Sequence, residues 1–300
     1  MSRAVTISGY GPPSVLHLEE VGIPAPGPHQ IRVAVRYAGV GPTDLAVRAG
    51  HLDAVFPVRP GGVLGFEAAG TVEAVGDEVT DVVVGDDVAV HLPGSLGGYA
   101  ELVVADLWVR RPSGSSWTVA AALPASAEAA VRGLALLGPT KGETLLLLGG
   151  NGSVGALATQ LAVAAGVEVI TTVRPDDADE VTARGAVPVD YHQPLRDAVR
   201  SPVDAVLDAS GRSDLEAAVA LAGGPARVVT LSDPRAGQFG VTLSAPDPAT
   251  VPAALAEAAA RVEDGTLTVR EPTVAPLRDA AEVHTGLEAG TLRGKIVLQP

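Results

Sequence analysis

A chain of 300 residues, 47% of them hydrophobic, exceeds what one core usually organises, so two domains are expected. It is rich in small aliphatic residues and Gly and only 3% aromatic, which suits an α/β enzyme, and no stretch approaches the roughly 20 uninterrupted apolar residues of a membrane helix. The formal charge of −14, with no Lys/Arg cluster to reverse it locally, argues against nucleic acid and anionic membrane surfaces as partners, and zero cysteines remove disulfides, thiolate ligands and a Cys nucleophile.

The opening Met1-Ser2-Arg3-Ala4-Val5-Thr6-Ile7 enters strand-like alternation without a basic region, an apolar run and a cleavage site. No export signal is therefore expected, and the expected compartment is the cytoplasm. From Ala4 to about Arg111 short apolar runs broken by Gly and Pro predict strands at Gln30 to Ala38, Gly70 to Val75, Asp87 to His91 and Ala100 to Val104. From Val119 the texture changes to βαβ units, with a helix expected over Val119 to Leu137 and a strand over Glu143 to Leu148. Near-continuous apolar runs at Glu168 to Val173, Val187 to Asp190, Val203 to Asp208 and Arg227 to Leu231 predict further strands, covered on both faces by helices. After Pro248 the pattern predicts a helix to about Asp264, an extended piece at Leu267 to Val269, a helix over Leu277 to Glu288 and a last strand over Lys295 to Leu298. The reading is α/β: a doubly wound domain over 119–264 and a mainly β domain over 1–118 and 265–300.

Directly after the apolar strand at 143–148 comes Gly149-Gly150-Asn151-Gly152-Ser153-Val154-Gly155, followed by the amphipathic run Ala156 to Ala165. Gly150, Gly152 and Gly155 satisfy G-x-G-x-x-G, with a tight turn at the first, backbone approach to pyrophosphate at the second and helix packing at the third. The helix N-terminus, through Ser153 and Val154, turns unpaired N–H groups toward the phosphates, and Asn151 lies inside the turn. An NAD site usually places an acid about 20 residues on, whereas this chain has Val173-Arg174 there. Arg174 can pair with a 2′-phosphate, so NADPH is the expected cofactor. Asp176 and Asp177 fit the first turn of a helix, where carboxylates stabilise exposed N–H groups. Ser210, after the strand ending at Asp208, and Leu231-Ser232, after the next strand, occupy carboxyl ends of strands, where such sheets bind ligands.

With these motifs the chain resembles the quinone oxidoreductase-like branch of the medium-chain dehydrogenase/reductase superfamily. The resemblance runs through Gly9-Tyr10-Gly11-Pro12-Pro13-Ser14-Val15-Leu16, Ala38 to Asp44, Leu64-Gly65-Phe66-Glu67-Ala68-Ala69-Gly70-Thr71-Val72 and Val84 to Ala89. It continues through Gly97-Gly98-Tyr99-Ala100-Glu101, Leu123-Pro124 and Gly294-Lys295-Ile296-Val297-Leu298, and so covers essentially the whole chain in order. It implies a Rossmann domain joined to a GroES-like substrate domain, and a Tyr191 that flanks the adenosine phosphate, although a Tyr there also serves to cap a sheet edge. It further implies a homodimer joined through an edge strand near Gly240 to Ser244.

The family's zinc-dependent members carry a Cys where this chain has Gly41 and a His where it has Phe66, and their cysteine-rich lobe has no counterpart here. Histidines 17, 29, 51, 91, 192 and 284 show no paired i, i+4 spacing, so no metal site is expected. The expected reaction is hydride transfer from NADPH to a quinone or α,β-unsaturated carbonyl, with alignment and a dry cleft as the main contributions of the protein. Many relatives carry a Tyr where this chain has Ala46, and an Asn where it has Gly41, so their proton donor does not carry over. Thr43 and Tyr10 are the candidate donors. Thr43 equally fits a turn before a strand, and Tyr10 packing near the chain start. Glu128 is spaced i, i+4 with Arg132, which explains it without a catalytic role. Rival readings are a trans-acting enoyl reductase or specialised biosynthetic enone reductase, and a non-catalytic NADPH-binding or redox-sensing protein.

Overall fold

Gly and Pro cut the first hundred residues into strands too short to stand alone, and pairing between distant strands is what makes them a sheet. The computed structural model describes residues 1–300, which divide into one unit of residues 1–125 and 255–300 and another of residues 126–254. The first unit opens with strand β1 (Ser2–Ile7), β2 (Leu16–Val21) and β3 (Ile31–Val40), then helix α1 (Pro42–Arg48) and β4 (Gly62–Val63). It continues with β5 (Glu67–Val75), β6 (Asp87–His91), β7 (Leu102–Ala105) and β8 (Leu107–Arg110), followed by α2 (Trp117–Ala122). Helix α3 (Pro124–Leu137) holds the boundary between the units.

The second unit contains β9 (Thr144–Leu148), α4 (Ser153–Ala164), β10 (Glu168–Val173), α5 (Ala178–Ala183), β11 (Val187–Asp190) and α6 (Leu195–Ala198). Next come β12 (Ala205–Asp208), α7 (Leu215–Leu221), β13 (Val228–Thr230) and β14 (Thr242–Leu243), and α8 (Val251–Glu263) holds the second boundary. The chain closes in the first unit with β15 (Thr273–Pro276), α9 (Ala280–Ala289) and β16 (Ile296–Gln299).

The first unit is mainly β. Strands β2, β1 and β4 form one sheet, and a second runs β15-β16-β3-β5-β6-β8 with β7 also on β3. Strand β3 begins with alternating burial of Ile31, Val33 and Val35, and these side chains share a core with Val72, Val88, Val90 and Leu298. The final strand joins this sheet antiparallel to β3, with Ile296 opposite Val40, as the sequence pattern predicts.

The second unit is a parallel sheet of order β11-β10-β9-β12-β13-β14. Leu145, Leu146, Leu147 and Leu148 of β9 are all buried, the signature of a strand covered on both faces. The strand order runs outward in opposite directions from β9, so the carboxyl ends of β9 and β12 bound a topological switch point. At the far edge, β14 carries an exposed Leu243.

Two expectations are corrected. The helix read as continuous over Val119 to Leu137 is two helices, because Pro124 lacks the N–H that would continue α2 and instead starts α3. The piece at Leu267 to Val269 lies outside the regular strands, and pairing with β16 begins at Thr273. Thr43 lies in the first turn of α1, rather than in a turn before a strand. No helix is long and apolar enough to cross a membrane.

Candidate functional site

The glycine turn between β9 and α4 has its left-handed residue at Gly149 (φ +90°), one position before the first glycine of the motif. The other glycines answer to close packing. A Cβ on Gly150 would lie 1.9 Å from Thr171 Oγ1, and one on Gly155 would lie 2.1 Å from the carbonyl oxygen of Gly149. Gly152 differs from both. Its backbone is ordinary (φ −70°, ψ 168°), and the nearest atom to a Cβ placed there is an oxygen at 3.4 Å. Nothing within the chain requires glycine at this exposed position. It keeps open a space outside the fold, at the start of a twelve-residue helix. The first bond of that helix runs from Ala156 N–H to Gly152, so the N–H groups of Ser153, Val154 and Gly155 precede the ladder. The turn thus fits a pyrophosphate bridge, which needs close backbone approach and unpaired donors.

Arg174 follows β10 at the edge of this turn, where Gly150 N–H donates to Thr172 O and Gly149 N–H to Thr172 Oγ1. Its side chain is exposed and has no hydrogen bond or ion pair. Asp176 and Asp177 lie in a short 3-10 turn ahead of α5, as the sequence suggests. Tyr191 follows β11, half exposed, with its N–H bonded to Val173 O and its ring 4.0 Å from that of His192. Across the switch point Ser210 faces the turn, since a Cβ on Gly149 would come 3.2 Å from Ser210 Cβ. Ser232 borders the same loop, its hydroxyl 2.3 Å from where a Cβ on Gly211 would stand, and Leu231 N–H donates to Asp208 O. The sequence-read residues at 149–155, 174, 191, 210 and 231–232 therefore share the carboxyl end of one sheet.

Arg184 at this end was not singled out from sequence, and Asp208 was quoted only as the last residue of a strand and the first of the segment Asp208 to Gly211. Arg184, just beyond α5, donates to Asn151 Oδ1 at 3.0 Å and pairs with Glu180. Asp208 is fully buried beneath the loop that carries Ser210. A polar residue inside the apolar run of 203–208 was the available signal.

The first unit holds a second polar constellation that sequence reading quoted only in pieces. Lys295 pairs with buried Glu67, whose other oxygen accepts the N–H of Ala125 at 2.8 Å. Gly39 is glycine because any Cβ there would strike the Glu67 carboxylate. Asp44 accepts Gly41 N–H at 2.8 Å through Oδ2, while Oδ1 is buried without a hydrogen-bond partner. Burial outweighs that bond and the nearby Lys295, and raises the Asp44 carboxyl to about 7. Tyr99, raised by burial and by the charges of Asp44 and Glu67, lies 3.1 Å from His284 Nε2. Burial, with Arg48 nearby, lowers His284 to about 3, so the imidazole is neutral at ordinary pH. Arg48 itself is buried, paired with Glu288 and bonded to Gly11 O at 2.9 Å. An acidic residue in each of two small-residue segments, Ala38 to Asp44 and Leu64 to Val72, was the signal.

Thr43 presents an exposed hydroxyl on α1. The Tyr10 oxygen accepts Val58 N–H at 2.8 Å, and its ring packs beside Gly50. The two hydroxyls thus sit in the same unit, but Tyr10 also ties down a loop. Glu128 and Arg132 form the expected i, i+4 ion pair within the second unit, and Arg132 continues to Ser244. No group of three or more His, Asp or Glu side chains could hold a metal ion.

Family profiles match in two stretches, the alcohol dehydrogenase GroES-like domain over residues 27–109 and the zinc-binding dehydrogenase domain over residues 177–298. The chain is 32% identical to the quinone oxidoreductase of Pseudomonas aeruginosa PAO1, with all of both chains covered. It is 29% identical to the chloroplastic NADPH-dependent alkenal/one oxidoreductase of Arabidopsis thaliana, over 99% of this chain and 79% of that one. Among solved structures, that of mycobacterial Rv1454c complexed with NADPH superposes with a TM-score of 0.85 at 28% identity, covering 100% of both chains.

Proposed function

This chain belongs to the quinone oxidoreductase-like branch of the medium-chain dehydrogenase/reductase superfamily, and from that membership we propose that it reduces a quinone or an α,β-unsaturated carbonyl compound with NADPH, without zinc. The observation that carries the cofactor reading is Gly152, a glycine that packing does not require, at the open N-terminus of α4. NADPH supplies the hydride when bound. The chain's contribution begins with the N–H groups of Ser153, Val154 and Gly155, which receive the pyrophosphate charge. Arg174, with no partner of its own, pairs with the 2′-phosphate, and Tyr191 flanks it. Ser210, Leu231 and Ser232 border the remainder of the dinucleotide at the switch point.

Zinc independence is supported by residue chemistry: Gly41 and Phe66 offer no ligand atoms, and no cluster of ligating side chains exists elsewhere. The proton that completes reduction comes from water or from the hydroxyl of Thr43 or Tyr10. The exposed edge at β14 is the surface through which two copies pair. The test is NADPH oxidation with a panel of quinones, enones and enoyl thioesters, before and after exhaustive chelation. Turnover of quinones or simple enones that survives chelation supports the reading. Turnover confined to enoyl thioesters moves the enzyme to the enoyl reductase class, NADPH binding without any turnover favours a sensor, and activity that chelation removes and zinc restores overturns the metal-free assignment.

A further inference from the structure

The Asp208 carboxylate is fully buried, and its partners are the loops that follow β12 and β13. Its Oδ1 accepts the N–H groups of Ser210 and Gly211 at 3.0 and 3.2 Å and the hydroxyls of Ser210 and Ser213, both at 2.8 Å. Its Oδ2 accepts the hydroxyl of Thr230 at 2.8 Å. The same Thr230 oxygen accepts Asp233 N–H at 3.1 Å. Asp233, also fully buried, accepts Arg235 Nε at 3.0 Å and Nη2 at 2.7 Å, and the Arg235 guanidinium holds its carboxyl below the usual range. Arg235 Nη2 then donates to Ser213 O at 2.8 Å. Asp208, Thr230, Asp233, Arg235 and Ser213 thus form a closed ring, built from two loops that are separate in sequence.

A buried carboxylate is tolerable only while its donors stay in place, because each donor withdrawn leaves charge without a partner in a medium that solvates it poorly. Neither loop can open alone without that penalty. The ring lies at the switch point, with Asp208 opposite Leu148 on one side and Thr230 on the other, and Ser210 touches the glycine turn.

We propose that Asp208 is a positioning residue for the dinucleotide: through this ring it fixes residues 209–213 and 231–235 in the arrangement that receives the cofactor before the cofactor arrives. The proposal rests on the NADPH reading above. Prior ordering matters because a loop that must be ordered during binding reduces affinity by the fraction of time it spends in the wrong state.

The test uses the full chain and two variants outside the proposed contact residues. Thr230→Val removes the link between Asp208 and the β13 loop, and Arg235→Gln, at a half-exposed side chain, removes the guanidinium link between Asp233 and Ser213, so the ring is tested a second time if Thr230→Val misfolds. Each variant is read by hydrogen exchange, by titration of NADPH fluorescence and by steady-state kinetics. The expected result is faster exchange confined to 209–213 and 231–235 with unchanged protection at 144–148. NADPH Kd and KM should rise about tenfold or more, the scale of one hydrogen bond to a charged group, while kcat at saturating cofactor changes less than about threefold. Loosened loops with NADPH Kd within twofold of the parent would reduce the ring to a structural role and overturn the proposal. Weakened binding with no change in exchange would overturn it too, by making the ring a direct contact. Failure of the unaltered enzyme to bind NADPH is a separate outcome, which removes the cofactor reading together with everything built on it.

Discussion

Asp44 and His284 are two buried groups near Tyr99 whose environments tilt stability against pH in opposite directions. His284 is lowered from 6.5 to about 3. The unfolded chain therefore takes up a proton that the folded chain refuses, and the stability contributed by the neutral imidazole is present above pH 6.5 and lost as pH falls toward 3. Asp44 is raised from 3.8 to about 7. The folded chain keeps a proton that the unfolded chain releases, so this contribution is present below pH 3.8 and lost as pH rises through 7. With about 1.4 kcal/mol per pK unit, acidification from pH 7.5 to 5 removes roughly 2 kcal/mol through His284 and restores about the same through Asp44. Replacing one group uncovers the other. Relative to the parent, Asp44→Asn should lose about 2 kcal/mol over that interval and His284→Gln should gain about 2 kcal/mol. Both tryptophans, Trp108 and Trp117, belong to the same unit as these groups, so urea unfolding followed by tryptophan fluorescence reports on it. Differences from the parent cancel the titrations shared by all three proteins. If each variant differs from the parent by an amount that does not change between pH 5 and 7.5, burial does not perturb these groups as argued.

The glycine turn separates fold from ligand. Gly155→Ala should lower thermal stability, because its Cβ would meet backbone at 2.1 Å, whereas Gly152→Val should leave the melting temperature nearly unchanged and abolish NADPH binding; equal melting losses in both would refute the distinction. Arg174→Ala should weaken NADPH by about tenfold or more and NADH little, since one charge-assisted contact to the 2′-phosphate is lost, and equal losses in titrations of both cofactors would exclude that contact. Thr43→Val and Tyr10→Phe should each lower turnover by less than about tenfold, because water can replace either hydroxyl, and a thousandfold loss with NADPH affinity intact would identify a dedicated proton donor.

The fold was legible where its signal is local. Four leucines in a row at 145–148, then a glycine turn, then a helix specify a buried strand and its crossover within a few residues, and the strands at 87–91, 168–173 and 187–190 match the reading to the residue. The misread helix falls where one proline overrides a longer pattern, at Pro124. The two-residue strands at 62–63 and 242–243 carry no periodicity of their own, and their pairing partners supply what the sequence does not. The glycine turn was legible for the same reason as the fold, since its motif is coded by the spacing of three glycines. Even so, the roles of those glycines had to be read from packing: Gly149 makes the turn, Gly150 and Gly155 fit neighbouring atoms, and only Gly152 is free of any demand from within.

The buried polar groups of the first unit obey another logic, one that no short motif encodes. Glu67 and Lys295 meet from distant parts of the chain because β5 and β16 both flank β3. Asp44 reaches the same region from α1, which follows β3 directly. A carboxylate pair in an apolar interior needs compensation, by a cation or by retained protons. Both forms are present here, an ammonium on Glu67 and an increased proton affinity at Asp44. A Cβ placed on Gly41 would stand 3.7 Å from Asp44 Oδ2 and 3.9 Å from Lys295 Nζ, so a carboxyl and an ammonium border this position. The ammonium and the retained proton let these two carboxyls stay buried without a further cation, which is compatible with the proposed hydride transfer, whose main demand is alignment.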